Sequence, residues 1–440
     1  MSSIALSVAI SKATKVRALM MKGASLEKAM ECELKNCSPD ERAVVQSVTY
    51  TATRSHMAST ALVKILATRP PAEPVRALLC VALALLIENP DKSYVIVNES
   101  VAAAKANAET AAAKGFINAC LRRFGREREI LLDKIEHLDD VRFNAPYWWI
   151  RKMRETLGRH TADRMLSLQQ SKPPMILRAN RRRTTPQAWC QAAAAMNIQS
   201  RPIGKDGIIL SQALPVSLLP GFSEGLVSVQ DAGAQLAAQI LRPVDGERVL
   251  DACAAPGGKT AHLLEMANAD VTALEMDPVR AERITQNLTR LGLSARVVVT
   301  DACDVEHWWD KKPFDSILLD APCTASGILR RHPDIVFSRR PEDISGLAIQ
   351  QKRLLETLWP LLKFGGKLLY VVCSVFEEEG SRQIDAFLKD HSDAQLEPLG
   401  EGLGSSLRLI PCENAQDQPC GLPDTHDGFF YALLSKKHSA

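Results

Sequence analysis

Five short apolar segments alternate with helical ones in the second half of the chain, and this alternation restricts the fold more than any other feature of its 440 residues. Residues 248–253, 271–275, 296–300, 314–319 and 367–373 read as strands, while 259–266, 278–291 and 346–362 read as helices. Strands that are apolar along their whole length are buried on both faces. The pattern therefore predicts a doubly wound, Rossmann-like α/β domain with a parallel sheet covered by helices on either side. Ligands of such sheets sit beyond the carboxyl ends of the strands, so the residues just after each strand carry the chemistry.

The chain before this domain has a different texture. Residues 1–140 read as all helix: Val75, Leu78, Leu79, Ala82 and Leu86 recur at helical spacing with apolar neighbours, which marks a buried central helix. Residues 141–225 form a small α/β linker module, with a short strand at 175–180. A helix starts at Thr185-Pro186, a side-chain cap followed by a proline in the first turn. Residues 226–440 make up the third, catalytic domain. The module's Arg178, Arg181, Arg182 and Arg183 form either a solvated surface or a patch that tracks phosphates.

Composition narrows the function classes. Lysine plus arginine exceed the acids by only three, so no overall basic field demands a nucleic acid. The apolar run 77–87 is too short to span a bilayer, and no membrane partner is expected. Eleven cysteines, an odd number with no CxxC pair, argue against a zinc module or a disulfide framework. Reduced thiols in a cytoplasmic enzyme without a metal fit better. The acid-free, lysine-containing N-terminus faintly resembles a transit peptide, but its helical spacing suits the opening helix of a folded domain.

The first strand ends in Cys253-Ala254-Ala255-Pro256-Gly257-Gly258-Lys259-Thr260. Paired glycines let the backbone turn sharply beside a ligand, and the following helix offers unpaired amides. A plain helix-start turn is the bland alternative; two specific ones compete with it. Gly258-Lys259-Thr260 matches the end of a phosphate-binding P-loop, but the motif's first glycine falls on Cys253 and Pro256 lacks an amide. A nucleoside-bearing cofactor fits better. Glu275 lies 17 residues beyond Gly258, close to the ~20-residue offset at which an acid reaches ribose hydroxyls. Asp301 follows the third strand, where a cofactor base is met. Acids repel triphosphate and tolerate a sulfonium, which decides for S-adenosylmethionine. The fourth and fifth strands end in Asp320-Ala321-Pro322-Cys323 and Val372-Cys373-Ser374. One such cysteine is ordinarily a structural thiol; two leaving adjacent strand ends invite a chemical explanation.

These motifs resemble the RNA 5-methylcytosine methyltransferases. Gly115-Phe116-Ile117-Asn118 with Leu121-Arg122 is similar to the NusB-type RNA-binding helical domain. With Gly327, Arg330-Arg331-His332-Pro333-Asp334 and Asp427-Gly428-Phe429-Phe430-Tyr431, the likeness extends to the ribosomal small-subunit branch of that family along nearly the whole chain. The resemblance implies a NusB-like N-terminal domain, a class I methyltransferase domain, an RNA substrate and a monomer. It also implies roles: Cys373 attacks carbon 6 of cytosine, Cys323 assists loss of the carbon 5 proton and release of the adduct, and Asp320 holds the pyrimidine edge. Residues Cys253 through Lys259, with Glu275, Asp301 and Asp320, then bind the cofactor. Glu275 departs from the aspartate usual in the family. The positive field that activates Cys373 is expected from Lys259 or a nearby arginine. Arg178, Arg181, Arg182, Arg330 and Arg331 are expected to grip the RNA backbone, because a target base must leave its stack. Phe429 and Phe430 read as core more readily than as stacking platforms. Three alternatives stay open: a tRNA substrate, a P-loop-like NTPase, and a non-catalytic RNA-binding assembly factor.

Overall fold

The computed structural model describes residues 4–411 and 425–437; Cys412 and Cys420 lie outside the described residues. The chain divides into two compact units. The first runs to Ser171 and takes in Leu329–Arg339; the second comprises Lys172–Ile328 and the chain from Arg340 onward.

The first unit is helical. Its central helix, Glu73–Glu88, is apolar all round, and every side chain from Ala77 to Leu86 is buried among the surrounding helices. Helices continue through Tyr147–Leu157 and Arg159–Gln169, so the residue-140 boundary expected from the sequence falls inside a short helix, Asp139–Arg142. Contacts within this unit hold the segment Leu329–Arg339. Asp334 Oδ2 accepts from the Leu26 N–H (3.0 Å) at the start of helix Leu26–Leu34, an acid placed where the orphan amides of a helix lie. Arg54 donates to the Arg330 carbonyl (3.0 Å), and Phe337 stacks on His56 at 4.1 Å.

The second unit opens with a four-stranded antiparallel sheet of β1 (Ile176–Ala179), β2 (Ser200–Ile203), β3 (Gly207–Leu210) and β4 (Val227–Val229), in the order β2-β3-β1-β4. Helix Pro186–Ala195 begins as expected, with the Thr185 hydroxyl accepting from Ala188 N–H (3.2 Å).

The main sheet contains β5 (Arg248–Ala252), β6 (Asp270–Glu275), β7 (Arg296–Val299), β8 (Phe314–Asp320), β9 (Leu362–Val372), β10 (Ala394–Glu397), β11 (Ser406–Leu409) and β12 (Phe429–Lys436). Their order is β10-β12-β9-β8-β5-β6-β7, with β11 paired to β12. The five strands expected from the sequence are parallel. β12 runs antiparallel to β9 and to β10, so the sheet is mixed rather than wholly parallel. Alternate residues feed two cores: Val249, Leu318 and Leu369 face helices Ala232–Leu241, Gly258–Met266 and Pro278–Leu291. Leu250, Ile317 and Tyr370 face helices Pro341–Leu358 and Ser381–Asp390. The helix expected over 346–362 lies earlier. Pro341 suits its first turn, and Pro360, in the 3-10 turn Trp359–Leu361, stops it. Strand order reverses at β5 and β8, and the carboxyl ends of all five parallel strands share one edge.

Candidate active site

The turn after β5 is held open by its own backbone. Cys253 has φ +63° and Gly257 φ +91°. A Cβ on Gly257 would come within 3.0 Å of the Ile284 Cα, so only glycine lets helix Pro278–Leu291 pack against this turn. That helix clamps the turn: Arg280 donates to the Ala255 carbonyl (3.2 Å) and Asn287 to the Pro256 carbonyl (2.9 Å). Glu275, buried at the end of β6, accepts from Asp277 N–H (3.0 Å) and faces Arg280 at 3.4 Å. Asp301 follows β7, half-exposed, and accepts from Cys303 N–H (2.9 Å). Beneath the turn, Asp251 is fully buried. Its Oδ2 accepts from the Thr260 hydroxyl (2.6 Å), whereas Oδ1 has no partner among the described residues. Burial pushes this carboxyl up to about 7, against the pull of Thr260. A glycine turn flanked by Glu275, Asp301 and an unsatisfied acid oxygen fits a cationic nucleoside cofactor.

Lys259 points inward to Asp320 at the end of β8, Nζ to Oδ2 2.5 Å. Burial works to lower its ammonium, but Asp320 and the Cys373 sulfur outweigh that and hold it above the usual lysine range. The Phe429 ring lies 5.5 Å from Nζ. A P-loop needs this lysine and the following hydroxyl for phosphate and metal; here Lys259 is paired with Asp320 and Thr260 is bonded to Asp251.

Beside that pair, the Sγ atoms of Cys323 and Cys373 stand 3.4 Å apart, with no disulfide between them. The parallel register of β8 and β9 pairs Asp320 with Val371, which brings the two following turns together. The contact with Cys373, and then burial, hold the Cys323 thiol far above the ordinary thiol range. Either sulfur can donate to the other across this contact. The Cys323 turn is pinned at its far end, where Gly327 N–H donates to the Cys373 carbonyl (3.0 Å) and Gly428 N–H to the Gly327 carbonyl (2.8 Å). A Cβ on Gly327 would sit 2.1 Å from the Gly428 carbonyl oxygen.

Two buried groups escape the sequence expectations. Glu379 accepts from Thr324 N–H (2.8 Å), from the hydroxyls of Thr324 (2.5 Å) and Ser374 (2.6 Å), and from Gln351 Nε2 (3.2 Å). Gln351 also donates to the Pro322 carbonyl (2.9 Å). In sequence Glu379 ends a run of three acids, and nothing in that run separates it from its half-buried neighbours Glu377 and Glu378.

The RNA-contact expectation needs correction at Arg178, whose side chain has no exposure at all. It forms a two-pronged pair with Glu265 (2.9 and 2.7 Å) and donates to the Gly258 carbonyl (2.8 Å) and to Gln230. Lying on β1, it faces inward onto helix Gly258–Met266 and cannot reach a phosphate. Arg181 is half-exposed and paired with Asp206 (2.8 Å); Arg182 is exposed and donates to the Ala267 carbonyl (2.8 Å). Arg330 and Arg331, half-buried, belong to the segment packed on the helical unit. Phe429 and Phe430 are buried on β12 and serve as core. A cavity of about 640 Å³ opens in the small module beside Asn197, Gln199 and Arg201, and its lining residues, between 194 and 211, are remote in sequence from the turns after β5 to β9.

Comparison with known proteins gives three family matches along the chain. Residues 5–126 match the NusB family, 145–217 the ferredoxin-like domain of RsmF/B-like methyltransferases, and 238–435 the family described as 16S rRNA methyltransferase RsmB/F. The chain is 37% identical to ribosomal RNA small subunit methyltransferase B of Pseudomonas syringae, over 96% of each protein. It is 38% identical to the Pseudomonas putida protein of the same name, over 97% of this chain and 98% of that one. Its fold follows the crystal structure of PH0851, with TM-score 0.78, 22% identity and coverage of 97% and 99%. A methyltransferase homolog from Pyrococcus horikoshii aligns with TM-score 0.56 and 27% identity, covering 68% of this chain and 97% of that one. By the extent of these matches and the geometry of its strand ends, the chain belongs to the RsmB/F family of S-adenosylmethionine-dependent RNA methyltransferases.

Proposed function

We propose that this enzyme methylates carbon 5 of one cytosine in small-subunit ribosomal RNA, through a transient bond between Cys373 and carbon 6. The observation that carries the reading is the pair of thiols 3.4 Å apart at neighbouring strand ends, beside the Lys259–Asp320 pair. Carbon 5 of cytosine is too weak a nucleophile unaided. Addition of the Cys373 thiolate to carbon 6 shifts electron density onto carbon 5, and bound S-adenosylmethionine supplies the methyl group. Loss of the carbon 5 proton then expels the thiolate and restores the ring. Asp320 steadies the pyrimidine edge, and Glu275 and Asp301 hold the cofactor's nucleoside.

The thiol electrostatics suit this order. Before reaction, the contact with Cys373 and burial hold the Cys323 thiol well above the usual thiol range. Once Cys373 is bonded to the base, its sulfur no longer raises the Cys323 pKa, so the second thiol becomes able to take part in proton removal and release. Arg181, Arg182, Arg330 and Arg331 are the guanidinium groups proposed to meet the RNA backbone. Action as a monomer belongs to the proposal, and the cytoplasm is the compartment where thiols working on ribosomal RNA stay reduced. Trapping tests the proposal: 5-fluorocytosine-substituted small-subunit rRNA, incubated with enzyme and cofactor, should yield a denaturation-resistant adduct on the Cys373 peptide. Absence of that peptide overturns the covalent reading. An adduct formed with tRNA but not with rRNA moves the substrate to the other class.

A further inference from the structure

The residue that follows each thiol is bonded to the same buried carboxylate. Thr324 follows Cys323 and Ser374 follows Cys373, and both hydroxyls donate to Glu379, at 2.5 and 2.6 Å. The Thr324 amide donates to it as well (2.8 Å). We infer that Glu379 is a positioning residue that fixes the two thiol turns against one another and so sets the sulfur–sulfur approach on which methyl transfer and product release both depend.

Four donors converge on this carboxylate, two on each oxygen, which uses its acceptor capacity and leaves little freedom to reorient. The network continues on both sides. The Ser326 and Ser374 hydroxyls are 2.9 Å apart, and Ser326 Oγ accepts from Val375 N–H (2.9 Å). The Tyr370 hydroxyl on β9 donates to the Glu379 carbonyl (2.6 Å), anchoring the acid's own backbone to the strand that delivers Cys373. Gln351 joins Glu379 to the Pro322 carbonyl, the residue before Cys323. Glu379, Ser374, Thr324 and Ser326 are all fully buried, so none of these bonds competes with water. A simpler core needs no acid here. Burial pushes the Glu379 carboxyl up despite its four donors, a penalty that makes sense only if the connection matters.

The inference rests on the proposal that both thiols act, and its test separates the two. Glu379→Gln keeps the shape but presents an amide to donors that need an acceptor. Its single-turnover rate of methyl transfer should fall by about 10- to 100-fold, the loss that a displacement near 1 Å inflicts. The Kd for S-adenosylmethionine and the KM for RNA should stay within about twofold, a kcat-only effect that general loosening does not give. Thr324→Val and Ser374→Ala should each lower kcat in the otherwise unaltered enzyme and add almost nothing to Glu379→Gln, because the interactions are shared. If Glu379→Gln does not fold, the two hydroxyl variants decide alone. Ordinary kcat in Glu379→Gln, or in both hydroxyl variants, overturns the inference. Failure of the unaltered enzyme to form an adduct overturns instead the covalent reading on which it rests.

Discussion

At the scale of single residues, the two sulfurs are not equivalent. Cys323 is the buried thiol held well above the usual thiol range, and Cys373 is the one proposed to add to a base. Cys373→Ala should abolish both methyl transfer and adduct, whereas Cys323→Ala should leave protein covalently joined to RNA. Gel analysis of both variants after incubation with unmodified substrate checks this, and the opposite pattern would exchange the roles. These residues were legible in the sequence because a parallel sheet delivers its functional groups at strand ends, and Cys253, Glu275, Asp301, Asp320 and Cys373 all follow or close a strand. Arg178 and Glu379 were not, for one physical reason. Their burial is decided by partners 87 residues and 55 residues away, Glu265 and Thr324, and a charge inside a run of like charges gives no local sign of such a partner.

At the scale of elements, the turn between β8 and the segment beyond Ile328 depends on two glycines lying back to back. Gly327→Ala would drive a methyl group to 2.1 Å from the Gly428 carbonyl, a contact that neither backbone relieves without moving. Overpacking of this kind costs about 1–3 kcal/mol. The variant should melt several degrees lower, and its transfer rate should fall more than about tenfold, since the displaced turn carries Cys323. Differential scanning fluorimetry with single-turnover methylation measures both. Element type was legible where periodicity was long and caps were explicit, as in Pro278–Leu291, whose sequence-based and observed limits coincide. The four-residue strands β2, β3, β10 and β11 left too little pattern to distinguish them from loop, and β12 needed its partners to reveal an antiparallel direction.

At the scale of the molecule, a buried ion pair joins the small module to the helix that follows the glycine turn. Arg178 on β1 meets Glu265 with both side chains shut off from solvent, and it also holds the Gly258 carbonyl. Arg178→Met strands a buried acid and should cost about 3–5 kcal/mol in urea unfolding, while Arg178→Met with Glu265→Leu should recover most of it. Cofactor affinity should drop in both, because the Gly258 contact is lost either way. The segment Leu329–Arg339 carries a different consequence. It is folded into the helical unit although the chain on both sides of it belongs to the other. The N-terminal helices are therefore not a detachable cassette. A truncation ending at residue 171 leaves the amide of Leu26 without Asp334 and the His56 ring without Phe337. Grafting these helices onto another enzyme would require transplanting eleven residues from the middle of its catalytic half.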